Sequence, residues 1–157
     1  MHPTPQRWLR AAAILAAVTV ALFASIATAD GPQIAQVKTV NGDAVIVRNG
    51  SRLPAKVGDA VYEKDTIQTG ENGAIGLTFV DNTMMSAGPN SEIDLSQYRF
   101  DSSNFNGAMF ADMRQGTVTM VSGDIARSSP GAMKIRTPAA ILGVRGTRFA
   151  IQVQGSR

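Results

Sequence analysis

The chain has 157 residues, 44% of them hydrophobic, with 15 Lys and Arg against 12 Asp and Glu for a formal net charge of +3. This is the size of one ordinary domain with a buried core, and the charge is too small to mark a nucleic-acid binder. There is no cysteine, and the single histidine is His2. The body of the chain therefore lacks the cysteine nucleophile, histidine base and His/Cys ligands of most hydrolase triads and zinc centres.

Residues 1–29 read as a signal peptide, with Arg7 and Arg10 as its positive end, an apolar run over 11–27, and Ala27-Thr28-Ala29 as an A-x-A cleavage site. The alternative is an inner-membrane anchor formed by residues 11–27, but a spanning helix needs about 20 apolar residues and alanine inserts weakly. In both cases the remainder is exported. Loss of Arg7 and Arg10 leaves 13 basic residues against 12 acidic ones. Their distribution is uneven: residues 30–113 hold 6 basic and 11 acidic side chains, and residues 114–157 hold 7 and 1. Two halves of opposite sign are expected to pack together and neutralise each other, with a basic binding face as the alternative.

Residues 30–33 read as a linker, and residues 34–157 as one all-β domain of short strands. Turn signals recur about every 8–12 residues, as in all-β proteins, among them Asn41-Gly42, Asn49-Gly50, Gly58-Asp59, Gly70 to Gly73, Asp81-Asn82 and Gly88-Pro89-Asn90. Strand-forming runs lie between them at 45–47, 74–80, 83–87, 92–96, 108–114 and 117–121. Ile75, Leu77 and Phe79 alternate with Gly76 and Thr78; Ile93 with Leu95, and Val118 with Met120, repeat the pattern. One wet face per strand fits a sandwich, a barrel or the wall of a solenoid. Gly42-Asp43-Ala44-Val45 returns as Gly58-Asp59-Ala60-Val61, which suits successive coils of a β-solenoid or chance reuse of a turn pair.

Toward the end of the chain, Met133-Lys134-Ile135-Arg136 alternates as a half-buried strand, and Thr137-Pro138 interrupts it as a corner. Ile141-Leu142 is expected to return to the core. Gly143 and Gly146 bracket Val144-Arg145, and the segment from Thr147 to Val153 closes the sheet with Phe149, Ile151 and Val153 on one face. Arg145 is read as structural, its guanidinium satisfying carbonyls at the turn, so Arg145→Lys should destabilise the domain. The alternative role is an anion or partner contact.

No cofactor is implied, and the candidate sites reduce to ordinary structure. The segment from Asp101 to Asp112 misplaces its glycine for an EF-hand and reads as a solvated loop. Gly70 to Gly76 lacks the P-loop lysine and a following helix. Glu92 and Asp94 share one strand face and could form a glycosidase pair only if a cleft enclosed them.

Taken in order, several pieces resemble the FecR domain, a periplasmic β-rich module of bacterial envelope and signalling proteins. They are Val40-Asn41-Gly42, Val47-Arg48, Val57-Gly58-Asp59, Asp65-Thr66-Ile67-Gln68-Thr69-Gly70, Phe79 to Thr83 with Asp81, Gly88 to Ser91, Gly116 before Val118, and Thr137-Pro138 leading to Arg145-Gly146-Thr147-Arg148-Phe149. The resemblance implies a solenoid-like periplasmic domain that, in the type member, relays a signal from an outer-membrane receptor to a cytoplasmic σ factor. Only ten residues precede the apolar stretch, so no σ-regulating segment is expected. The expected function is a non-enzymatic binding or scaffold module for an envelope protein or a cell-wall polymer. The alternatives are self-association through the last strand as a sheet edge, and a carbohydrate-active enzyme using Glu92 and Asp94.

Overall fold

The computed structural model describes residues 31–146 and 148–155; the signal peptide with Ala27 and Ala29, the alternative anchor, and Thr147 lie outside the described residues. The described chain is all-β apart from one short helix. Its elements are β1 (Gln33–Asn41), β2 (Ala44–Arg48), β3 (Ser51–Pro54), β4 (Ala60–Tyr62), β5 (Thr66–Thr69), β6 (Ala74–Phe79), β7 (Met84–Ala87), β8 (Glu92–Phe100), β9 (Gly107–Val121), α1 (Asp124–Ser128), β10 (Met133–Arg136), β11 (Ile141–Gly143) and β12 (Arg148–Val153).

The strands form one curled, mainly antiparallel sheet, a half-barrel, in the order β3-β2-β5-β8-β9-β7-β6-β1-β4. On its other side β9 pairs with β10, which carries β11, and then with β12. Stacked solenoid coils would pair in parallel, and among the described strands only β9 and β10 do so. The repeated Gly-Asp step therefore serves two separate turns. Gly42 (φ +58°) leads into β2, where the Asp43 carbonyl accepts from the Gly70 amide; Gly58 (φ +97°) precedes Asp59, whose carboxylate accepts from the Lys56 amide. The Asn49-Gly50 turn joins β2 and β3 as expected, with φ of +50° and +79° at its two residues and Arg48 opposite Ser51.

The segments expected at 108–114 and 117–121 are one strand, β9, which carries the chain from one wing to the other. Residues from Gly107 to Gln115 pair with β8, and residues from Val118 to Val121 pair with β7. The hinge is Gly116, at φ +96°, where an added Cβ would come within 2.2 Å of the Ser91 hydroxyl and 2.3 Å of its Cα. Ser91 is buried in this crossing: its hydroxyl donates to the Gly88 carbonyl and accepts from the Thr117 amide, while its amide donates to the Thr69 hydroxyl.

The alternating residues point inward as their spacing implies. Ile75, Leu77, Phe79, Ile93, Leu95, Val118 and Met120 are all buried, alongside Met85, Met109, Met113 and Met133. Gly76 is buried too, because the Thr39 hydroxyl occupies the space its Cβ would fill. Phe149, Ile151 and Val153 of β12 are half-buried against the core.

The exception is Ile141-Leu142, expected in the core and found 61% and 39% exposed. The turn at Thr137, whose amide bonds the Ala140 carbonyl, folds β11 back along the outer side of β10. The inner side of β10 is already taken by β9, so β11 becomes an edge and Val144 fills the core position instead.

Gly116→Ala should destabilise the domain by about 3 kcal/mol, from the positive φ and the collision with Ser91 together. Chemical denaturation of the two proteins checks this, and an unchanged midpoint would show that the crossing tolerates a methyl group.

Candidate functional site

Two buried carboxylates organise the loops. Asp65, which opens the turn into β5, lies opposite the end of β2, and Arg48 grips it with Nε to Oδ1 at 2.8 Å and Nη2 to Oδ2 at 2.7 Å. The same guanidinium donates to the Ala60 carbonyl at 3.0 Å and lies 4.4 Å from the centre of the Tyr62 ring, while the Tyr62 amide donates to Asp65. A fork-shaped cation suits this bidentate role. Arg48 thus ties β2 to the β4–β5 turn.

Asp81, fully buried beyond β6, accepts from the Tyr98 hydroxyl at 3.0 Å, the Thr83 hydroxyl at 2.7 Å and the Thr83 amide at 3.2 Å. Its own carbonyl accepts from the Asp124 amide, so one residue fixes the β6–β7 turn, β8 and the start of α1. Burial, and then the neighbouring Asp81 carboxylate, push the Tyr98 phenol far up, which keeps its proton available for this bond. Tyr98 also stacks on Phe79 with ring centres 5.5 Å apart.

The remaining motif residues are turn formers. Gly58 donates its amide to the Val37 carbonyl, and Gly70 bonds Asp43. Thr137-Pro138 makes the β10–β11 corner, Gly143 ends β11, and Gly146, at φ +143°, accepts from the Ser122 hydroxyl. Arg145 is exposed and makes no side-chain hydrogen bond among the described residues. The fork-shaped structural role expected of it is carried by Arg48. Only the register of β2 against β5 brings Arg48 to Asp65, and only the folded sheet brings Tyr98 to Asp81, so neither role is visible in the local sequence.

The outer face of the β2–β5–β8–β9–β10 wing carries the candidate site. Register aligns Thr66, Asp94, Asp112 and Arg136 across four strands, and Gln68, Glu92 and Gln115 across three. Arg114 pairs with Asp94 at 2.8 Å and Glu92 at 3.6 Å, Thr66 donates to Asp94 at 2.6 Å, and Asp112 binds Arg136 and Ser96. Arg136 also covers the Phe110 ring at 5.1 Å. Partial burial would raise the Asp112 carboxyl, but the Arg136 and Ser96 bonds outweigh it and hold the group below its ordinary value of 3.8.

Arg114 and Arg136 thus bring the basic end of the chain onto acidic strands, the neutralisation that the uneven charge suggested. Two open grooves lie on this face, of about 610 Å³ along Gly42, Arg52, Gln68 and Glu92, and about 440 Å³ along Asp94, Arg114, Arg136 and Pro138. Glu92 and Asp94 do share the face, yet both are paired with Arg114 on an open surface, and no cleft encloses them among the described residues. The 101–106 loop folds on itself, with Asp101 accepting from Ser103 and Asn104. Among the described residues no group of three His, Cys, Asp or Glu could hold a metal, and no helix is long and apolar enough to cross a membrane.

An all-β domain with buried acid nodes at its turns and an open charged face is the class of protein defined so far. The FecR protein family matches residues 65–157, more than half of the chain, and the chain belongs to that family. The match begins at Asp65, so the pieces at 40–42, 47–48 and 57–59 lie before it. Among solved structures, a chain described as "Cell surface anchoring domain" is 28% identical, covers 41% of this chain and 86% of its own, and has a TM-score of 0.39. Comparison with curated proteins gives no match.

Arg48→Lys should lower stability by about 2 kcal/mol, since lysine cannot span both Asp65 oxygens and leaves a buried carboxylate under-satisfied, whereas Arg145→Lys should leave the melting temperature unchanged. Thermal melts of both variants decide which arginine holds the fold. The Asp112 stabilisation is complete above the ordinary carboxylate value of 3.8 and is lost as pH falls through the lower native value. Asp112→Asn should flatten that part of the acid side of a Tm–pH curve; an unaltered slope would show that the Arg136 pair does not contribute.

Proposed function

We propose that this protein is a non-enzymatic, exported FecR-family module that recognises another protein of the cell envelope through the charged outer face of its β8–β9–β10 wing. The observation carrying the reading is the combination of family membership with an open ladder of compensated charges. Carboxylates and guanidinium groups already held in place by one another present a rigid pattern, so little side-chain entropy is lost when a partner docks. The leader features of residues 1–29 support export, and the family's periplasmic setting supports an envelope address. A cell-wall polymer is the second ligand class that such a face would suit.

The test joins location to contact. A fusion of the chain to alkaline phosphatase should be active outside the cytoplasm, and cross-linking from a photoreactive residue at Gln68 or Gln115 in intact cells should yield a discrete protein adduct. Reversing Arg114 and Arg136 to Glu should abolish the adduct while the melting curve still shows a folded protein. Adduct formation unaffected by the reversal would move the contact off this face, and selective sedimentation with purified cell wall would assign the polymer instead. Glycan turnover that disappears in Glu92→Gln would replace the reading with the enzymatic one.

A further inference from the structure

Among the described residues four strands end the sheet, and three of them are blunted. β3 is fully exposed but carries Arg52 and ends in Pro54; β4 is three residues long, with its Ala60 carbonyl taken by Arg48; β11 is three residues long and follows the Thr137-Pro138 corner. Short length, charge and proline are the usual defences of an open edge. β12 has none of them beyond its first residue. It runs for six residues, Arg-Phe-Ala-Ile-Gln-Val, and among the described residues it pairs with β9 alone. Its apolar residues Phe149, Ile151 and Val153 are each only half-buried, so the core is incompletely covered along this border.

We infer that a second copy of this chain completes the border, by antiparallel pairing of β12 with β12 across a two-fold axis at Ile151. The register follows from two constraints. Residues directly opposite in an antiparallel ladder must have their backbone groups pointing the same way, and their side chains lie on one face. Several registers satisfy both, and of these only the one with Ile151 opposite Ile151 gives all three apolar residues an apolar partner, with Phe149 against Val153 and Ala150 against Gln152. All three apolar residues then continue the core of one copy into the other. Arg148 faces Gln154, and the two copies of Arg148 stand roughly 20 Å apart at about 3.4 Å per residue, beyond the screening length of physiological salt.

A slip by one residue in one strand would set apolar residues against polar ones, and a slip by two would leave one apolar residue of each copy without an apolar partner. A groove of about 260 Å³ between the end of β11 and β12, lined by Leu142, Val144, Phe149 and Ile151, lies alongside. Six residues of ladder bury less than the roughly 1,200 Å² of a stable interface, so the association is weak and concentration-dependent. This contact is separate from the charged face proposed for recognition.

Sedimentation or light scattering of the purified protein over a concentration series should show the average mass rising toward twofold. Ala150→Lys with Gln152→Lys, and Ala150→Glu with Gln152→Glu, change exposed positions that face each other across the axis. Each variant alone should stay monomeric with an unchanged circular dichroism spectrum, and an equimolar mixture should recover the doubled mass. In the unaltered protein, hydrogen exchange at residues 148–153 should slow as concentration rises. A wild-type chain that remains monomeric throughout overturns the inference, as does a dimer that survives either variant or leaves exchange in β12 unchanged.

Discussion

The sheet depends on a single close approach, the passage of β9 over Ser91 at Gly116. A strand that serves two wings must change direction without losing its ladder, and the change happens where its backbone has no side chain to obstruct it. The Ser91 hydroxyl then takes the place of the missing ladder bonds, donating to Gly88 and accepting from Thr117. Both wings inherit their relative position from this crossing. The charged ladder across β5, β8, β9 and β10 exists only because one half of β9 stays in register with β8 while the other half departs.

With no disulfide available, the loops are held by buried acids. Asp65 and Asp81 each sit at a turn and each collect several donors, so their desolvation is offset by charge-assisted hydrogen bonds rather than left as a penalty. The two differ in kind. Asp65 is matched by a full opposite charge from Arg48, and Asp81 by neutral hydroxyls and amides, with Tyr98 held protonated by its surroundings. Loop order and surface order are therefore linked, since the residues that close the turns also fix the ends of the strands that present the outer face.

Much of this was legible in the chain because side-chain alternation and turn chemistry are local. Ile75, Leu77 and Phe79 had to share a face, and Asn49-Gly50 had to turn. What depends on register was not legible. Arg48 reaches Asp65 only once β2 lies beside β5, whereas Arg145 stands out locally because glycines flank it, though no described buried acid pairs with it. The repeated Gly-Asp step suggested stacked coils because a shared turn pair does not reveal whether the strands it joins pair in parallel. Ile141-Leu142 reads as core by hydropathy, yet the corner at Pro138 sends it to the outside. In the outer face, the acids and arginines were visible as a charge imbalance, and their pairing was not.

The composition of the core has a chemical consequence. Met85, Met109, Met113, Met120 and Met133 are all almost completely enclosed around β9 and its neighbours, whereas Met84 stands half open to solvent. A thioether inside a packed core is out of reach of peroxides, and conversion to the sulfoxide would place a polar, bulkier group where none fits. The enclosed sulfurs are thus oxidised only through opening of the sheet, and Met84 can react on the surface without cost to the core. Resistance to oxidants and resistance to unfolding are, in this domain, the same property.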